Sequence, residues 1–202
     1  FLGEETGQRG ESDFLWIIDP LDGTTNFLHG LPHFAVSIAL QHKGVLEQAV
    51  VYDPLRQELF TASKGKGALL NNRKIRVSSK NSLDGALLGT GFPYGDETAM
   101  VSFIDSFKAL FPAIAGIRRA GVASLDLAYV ACGRLDGFWE YNLKYCFEGI
   151  PERVPERISG EHLQFWSPKI VNFRDTNESP NSTVNIHLTR TFELGEISKF
   201  SS

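Results

Sequence analysis

Sulfur is scarce in this chain: two cysteines, Cys132 and Cys146, and one methionine, Met100, occur in 202 residues. Two cysteines are too few for a disulfide framework and lack the CxxC spacing of a metal site, so a reducing cytoplasm is the expected compartment. No apolar run approaches the roughly eighteen residues that suggest a membrane span, which reads as a soluble protein with no membrane partner. An excess of basic residues is missing too. Twenty Lys and Arg against 24 Asp and Glu leave a net charge of −4, so nothing draws the chain to a phosphate polymer in general, and a small anionic ligand needs a local reason to bind. Residue 1 is Phe rather than Met, and the chain is expected to begin inside something longer.

What is present is a series of short β-type runs. Asp13 to Ile18 reads as a buried strand stopped at Asp19-Pro20, and Phe34 to Gln41, Glu47 to Tyr52, Glu58 to Ala62 and Lys74 to Val77 follow as hairpin strands. Turn residues punctuate them at His42-Lys43-Gly44, Asp53-Pro54 and Asn71-Asn72. Thr98 to Phe111 carries Val101, Ile104, Phe107 and Leu110 at helical stepping, which predicts a helix burying that stripe. Ser124 to Cys132 reads as a second helix, rich in small residues, and Leu135 to Glu140 as a returning strand. Beyond Lys144 the chain has scattered prolines and no sustained period, and no element is assigned there.

The acid at the end of the first strand raises a chemical question. Side chains three apart on a regular strand point to opposite faces, so Asp19 and Asp22 in "WIIDPLDGTTNF" would diverge if the ladder continued. Pro20 ends it. Gly23 allows a sharp path, and both carboxylates and the carbonyl of Leu21 can meet at one point. Like charges held so close raise each other's pKa unless a cation neutralises them, and a hard divalent ion such as Mg2+ suits an all-oxygen site beside phosphate. "GTTN" then offers amides and hydroxyls at the start of a short helix, where anions settle. The plain alternative is an Asx turn and helix cap in which Asp22 and Thr25 only satisfy backbone donors. By itself the pattern leaves both open.

Four stretches, "GEET", "WIIDPLDGTTNFLHGLPHFAVSIAL", "VVYDPLRQELFTASKGKGA" and "GVASLDLAYVACGRLDGFWE", resemble the inositol monophosphatase family, nearest its bacterial branch, from about Phe1 to Lys144. The resemblance implies an α/β (α+β) layered α-β-α-β-α sugar-phosphatase fold, incomplete in this chain, with Mg2+ as cofactor and lithium sensitivity. The substrate it implies is a small phosphorylated polyol, the complete protein being a homodimer. It places Glu4, Asp19 and the main-chain oxygen of Leu21 on a first metal, and Asp19 with Asp22 on a second. Thr24 and Glu4 would orient the attacking water. Gly23 and Thr24 would meet the phosphate beside Asp22, Gly121, Val122 and Ala123 would line the substrate pocket, and Glu140 would accept hydrogen bonds from sugar hydroxyls. His29 and His33 read as loop and packing residues, and "SKGKG", Ser63 to Gly67, as a hairpin turn rather than a nucleotide loop. Six basic residues and no acid lie from Lys64 to Lys80, which reads as a solvated hairpin, with an RNA contact the less favoured alternative.

The resemblance stops short at both ends. Six and seven residues after the substrate glutamate the family has Trp-Asp, the aspartate being a further ligand of the second metal; here Cys146 and Phe147 hold those places. Glu148 comes one position late, and a one-residue shift redirects a side chain. The helical segment that the family has before "GEE" is also missing. The organisation expected is therefore a partial phosphatase-like domain over 1–144 and an unmatched segment over 145–202, a non-native or disordered ending. The first metal is expected to bind weakly, the second poorly, and turnover to be low. Because a bacterial relative assists ribosomal RNA transcription through partner proteins, a catalytically impaired binding or regulatory role, with a nucleic acid or transcription partner, stands as the alternative. Phosphatases of other sugar or nucleotide phosphates form a third class.

Overall fold

The computed structural model describes residues 2–3, 7–8, 12–141, 172–174 and 183–188. Along the chain these form β1 (Leu2–Gly3), β2 (Gly7–Gln8), β3 (Phe14–Asp22), α1 (Thr24–Leu28), β4 (Ala35–His42), β5 (Val45–Asp53), β6 (Glu58–Ser63), β7 (Gly67–Leu70) and β8 (Arg73–Lys74). There follow β9 (Ala86–Thr90), α2 (Glu97–Leu110), a 3-10 turn (Phe111–Ala113), β10 (Ile114–Arg118), α3 (Ala123–Ala131), β11 (Gly137–Glu140), β12 (Asn172–Arg174) and β13 (Thr183–Leu188).

Strands β3 to β8 make an antiparallel meander, extended by β1 and β2 into a sheet of order β2-β1-β3-β4-β5-β6-β7-β8. In the turns Gly44, Gly65, Gly67, Asn71 and Asn72 take positive φ, as their types predict, while Lys43 and Gln57 take it without that preference, the conformation that tight hairpins require. A second sheet runs β10-β9-β11-β13-β12. In it β9 is parallel to both β10 and β11, while β13 joins β11 antiparallel.

Helix α3 lies between the sheets. On one side Val122, Leu125 and Ala128 pack with Ala35, Val51 and Phe60 of the meander; on the other Val130 meets Leu135, Phe138 and Leu87 of the second sheet. Helix α2 covers the far face of that sheet, where Phe103 and Leu110 pack on Leu88, Trp139 and Tyr141. The order of layers among the described residues is thus sheet, helix, sheet, helix, a mixed α/β architecture.

The structure differs from the sequence reading in several places. The strand expected over 74–77 is present only as the two-residue β8, which ends at Lys74, and the first strand, expected to be buried, buries only Ile17 and leaves Phe14 and Trp16 exposed. Strand β3 does not stop at Asp19-Pro20: Asp19 faces Ser37 and Asp22 faces Ala35 across β4, so three steps on one strand oppose two on the other. This is a bulge, the one interior position where a proline without an N–H costs a strand little. Helix α2 buries Ala99, Phe103, Ser106 and Leu110, leaving Val101 and Ile104 of the expected stripe exposed. The buried Ser106 hydroxyl lies 2.7 Å from that of Tyr141, which is how a polar residue is accommodated on the inner face. Strands β1, β2, β7, β9 and β10 have no counterpart in the sequence reading; the last three, GALL, ALLGT and IAGIR, show no apolar–polar alternation. Within the segment given no element, β13 reads Thr-Val-Asn-Ile-His-Leu, an alternation that was the available signal.

Candidate functional site

The bulge builds the acidic corner. With one residue of β3 looped out between Asp19 and Asp22, two carboxylates that a regular strand would send to opposite faces line one cavity of about 430 Å3. Leu21, Gly23, Thr24, Gly121, Val122, Ala123 and Glu140 line it as well, so all the sequence-predicted site residues among the described ones come together. Glu4 lies outside the described residues. So do Cys146, Phe147 and Glu148. β1 ends at Gly3, paired with Ile18 beside Asp19.

Local bonding fixes the corner. Asp19 Oδ1 accepts from the Leu21 N–H at 3.0 Å, and the Thr24 hydroxyl donates to the Leu21 carbonyl at 2.9 Å, leaving that oxygen a second lone pair. Asp22 Oδ2 accepts from the Ser124 N–H at 2.8 Å, pinning β3 to the start of α3. Asn26 Nδ2 donates to the carbonyls of His33 and Ala120 at 2.9 and 3.0 Å, which holds α1 against the 119–123 loop. Gly23 has φ 92° and no room for a side chain, since a Cβ there would stand 2.8 Å from Val122 Cγ2. No side chain caps the N-terminus of α1. The plain alternative is therefore only half met: the Asx turn exists, made by Asp19, while Asp22 serves α3 instead of capping its own helix.

Electrostatically the cavity is acidic. Burial pushes the Asp22 carboxyl above its ordinary value, the Asp19 charge adds to this, and the hydrogen bond from the Ser124 amide opposes it. Glu140 is pushed up to about 7, chiefly by burial, with Arg119 acting against the shift and Asp22 adding to it. Asp126, which sequence reasoning missed, is raised to about 8 by burial, by Asp22 and by Glu140. It lines the same cavity from α3 and is 2% exposed. Its signal was available, because "SLDLAYVA" is apolar on every side but this one, and an ionisable group in an all-round buried helix needs a reason. Arg119 supplies the one cationic side chain among the described lining residues; its guanidinium sits 5.1 and 5.3 Å from the ring centres of Phe92 and Tyr94.

The other histidine and turn readings can be placed too. His33 Nδ1 lies 3.2 Å from Arg56 Nη1, and burial with Arg56 holds its pKa below the ordinary value, in keeping with a packing role. Residues 64–66 form the turn between β6 and β7, closed by the Lys66 N–H to the Ser63 carbonyl at 2.9 Å, and Lys64 pairs with Glu47.

Oxygen donors dominate what could hold a metal: the carboxylates of Asp19 and Asp22 and the Leu21 carbonyl. That set suits a hard divalent cation that keeps part of its water shell. Among the described residues no group of three or more His, Cys, Asp or Glu side chains that could hold a metal ion comes together, so the donors here make a partial set. No helix among the described residues is long and apolar enough to cross a membrane.

With this geometry in view, the comparisons with known proteins are direct. The inositol monophosphatase family profile matches residues 1–147. The Nus factor SuhB of Pseudomonas aeruginosa is 62% identical over 148 residues, covering 70% of this chain and 55% of that protein. The inositol-1-monophosphatase of Rhizobium meliloti is 50% identical over 145 residues, covering 71% and 54%. Among solved structures, inositol monophosphatase from Anabaena (Nostoc) sp. PCC 7120 superposes with a TM-score of 0.70 at 37% identity, over 92% of this chain and 72% of that one. The extragenic suppressor protein suhB from Bartonella henselae gives 0.67 at 48%, over 71% and 56%. The chain spans about half the length of these curated relatives. By profile, by identity and by fold, it belongs to the inositol monophosphatase family.

Proposed function

We propose that the cavity is the active site of a Mg2+-dependent phosphomonoesterase acting on inositol monophosphate or a similar small phosphorylated alcohol. The observation that carries this reading is the bulge at Asp19–Asp22, which sets both aspartates and Leu21 on the wall of the cavity that Glu140 also lines. Asp19, Asp22 and the Leu21 carbonyl would hold magnesium, with Glu4 as a further ligand. Bound there, the ion supplies a water of lowered pKa and offsets the charge of the phosphate.

The chain's own groups do the rest. The Gly23 and Thr24 amides offer donors to the phosphate. The Thr24 hydroxyl spends its proton on Leu21, so its lone pairs are what it can present to an attacking water, with Glu4 as the accompanying base. Glu140, an acceptor when ionised, meets the hydroxyls of the alcohol, and the 121–123 loop closes the pocket beneath it. In-line attack by water needs no covalent intermediate, so Cys132 is given no role.

Phosphate release from inositol monophosphate, fructose bisphosphate, phosphoadenosine phosphate, NADP and histidinol phosphate, with Mg2+ and with or without lithium, tests the reading. Preferred, lithium-sensitive turnover of the inositol ester supports it, and equal turnover of all five counts against the inositol assignment. A second reading is favoured by the name Nus factor carried by relatives at 62% and 53% identity: a regulatory protein that uses the fold to bind transcription partners. Asp22→Asn separates the two. Loss of the biological effect in that variant requires chemistry, and its survival favours binding.

A further inference from the structure

Glu140 ends β11 and Gly91 directly follows β9. The two strands are parallel neighbours with Trp139 opposite Thr90, and the Thr90 hydroxyl and the Gly91 N–H both donate to the Trp139 carbonyl, at 2.9 and 3.4 Å. The next positions on the two strands, Gly91 and Glu140, therefore stand side by side at the cavity wall. A Cβ built on Gly91 would overlap the carboxyl carbon and both carboxylate oxygens of Glu140. Gly91 is not among the glycines with positive φ, so its backbone does not demand glycine. What glycine leaves open is space: the Glu140 carboxylate rests where a Cβ at 91 would stand, and any other residue there would require that carboxylate to move.

We propose that Gly91 is a positioning residue whose missing side chain seats the Glu140 carboxylate against the β9 backbone, fixing it as an acceptor for neighbouring hydroxyls of a polyol phosphate. This rests on the reading of Glu140 as the group that meets those hydroxyls. The alternative is ordinary close packing, in which residue 91 affects stability but not the choice of substrate. A methyl group at 91 would push the Glu140 carboxylate out of this niche, and Arg119, a cavity-lining cation whose charge already acts on Glu140, is the group available to hold it away from the alcohol.

Two measurements decide the matter. Melting temperatures of the chain carrying Gly91→Ala, Glu140→Ala or both form a double-mutant cycle. Gly91→Ala alone should lower the midpoint by about 3 °C, as overpacking does in a chain of this size, and should cost nothing once Glu140→Ala has emptied the niche. Equal losses in both backgrounds would overturn the seating. The kinetic comparison uses inositol monophosphate against p-nitrophenyl phosphate, an ester without neighbouring hydroxyls. The ratio of their kcat/KM values should fall about tenfold in Gly91→Ala, mainly through KM for the inositol ester. Adding Glu140→Asp, one methylene shorter, should restore part of it. A ratio unmoved by Gly91→Ala while the thermal cycle shows coupling would reduce residue 91 to packing and overturn the positioning role. If the unsubstituted chain hydrolyses neither ester, the phosphatase reading fails, and the thermal cycle still decides whether Gly91 seats Glu140.

Discussion

Asp126 is a carboxyl that the fold buries beside two others. An acid held at about 8 in the folded chain, against an ordinary 3.8, keeps its proton more tightly folded than unfolded, so unfolding releases protons through that window. Stability of the metal-free chain therefore falls as pH rises from about 4 to about 8, with Glu140, raised to about 7, contributing to the lower part. Melting temperatures measured across this range in the presence of a chelator should decline, and Asp126→Asn should flatten the upper part of the decline. A flat profile in the unsubstituted chain would show that Asp126 is not desolvated. Gly23 invites a second test at this scale. Its φ of 92° and the 2.8 Å approach to Val122 mean that Gly23→Ala combines backbone strain with overpacking, a loss of about 1–3 kcal/mol. Denaturant titration should show it as a lower midpoint with an unchanged slope.

Among the elements, α2 has the clearest start signal. Asp96 accepts from the Ala99 N–H at 2.9 Å and Glu97 follows in the first turn, so Asp96→Ala should cost about 1 kcal/mol of stability, measured by chemical denaturation. The helix was legible from spacing, but its phase was not, because Ala99 and Ser106 look no more buried than Val101 and Ile104 until Trp139 and Tyr141 are in place to receive Phe103 and Leu110. The meander was legible for a different reason: its turns carry Gly44, Asp53-Pro54, Gly65, Gly67 and Asn71-Asn72, residue types that break strands. Strands β9 and β10 were not, since ALLGT and IAGIR each carry a glycine and show no apolar–polar alternation. The acidic corner could be read from Asp19-Pro20 because proline limits what a strand can do. The bulge itself needed the partner strand, whose two steps against three exist only in the pairing. Asp126 escaped for the same kind of reason, as it becomes a site residue only when α3 is laid beside β3.

At the scale of the whole molecule, the site exists because α3 is clamped between two sheets. The meander contributes Asp19 and Asp22, the second sheet contributes Thr90 and Glu140, and α3 with its leading loop contributes Asp126 and Gly121 to Ala123. Arg134, just after α3, adds a tie by pairing with Glu58 of β6 and lying 5.0 Å over the Tyr129 ring. Burial and the Asp19 charge raise Asp22, and burial and the Asp22 charge raise Asp126 and Glu140, so a divalent ion bound at Asp19 and Asp22 would offset the negative charge gathered there. Metal binding should therefore stabilise the folded chain, its midpoint rising with Mg2+ concentration and returning on chelation. A midpoint unaffected by millimolar Mg2+ would mean that the acids are not a metal site.

The most direct test is calorimetric titration of Mg2+ into the chain near pH 7.5, repeated with Asp19→Asn and with Asp22→Asn. Magnesium binding at the bulge predicts saturable uptake by the unsubstituted chain that either substitution weakens at least tenfold. Uptake unchanged by both substitutions, or none in any of the three proteins, would contradict it.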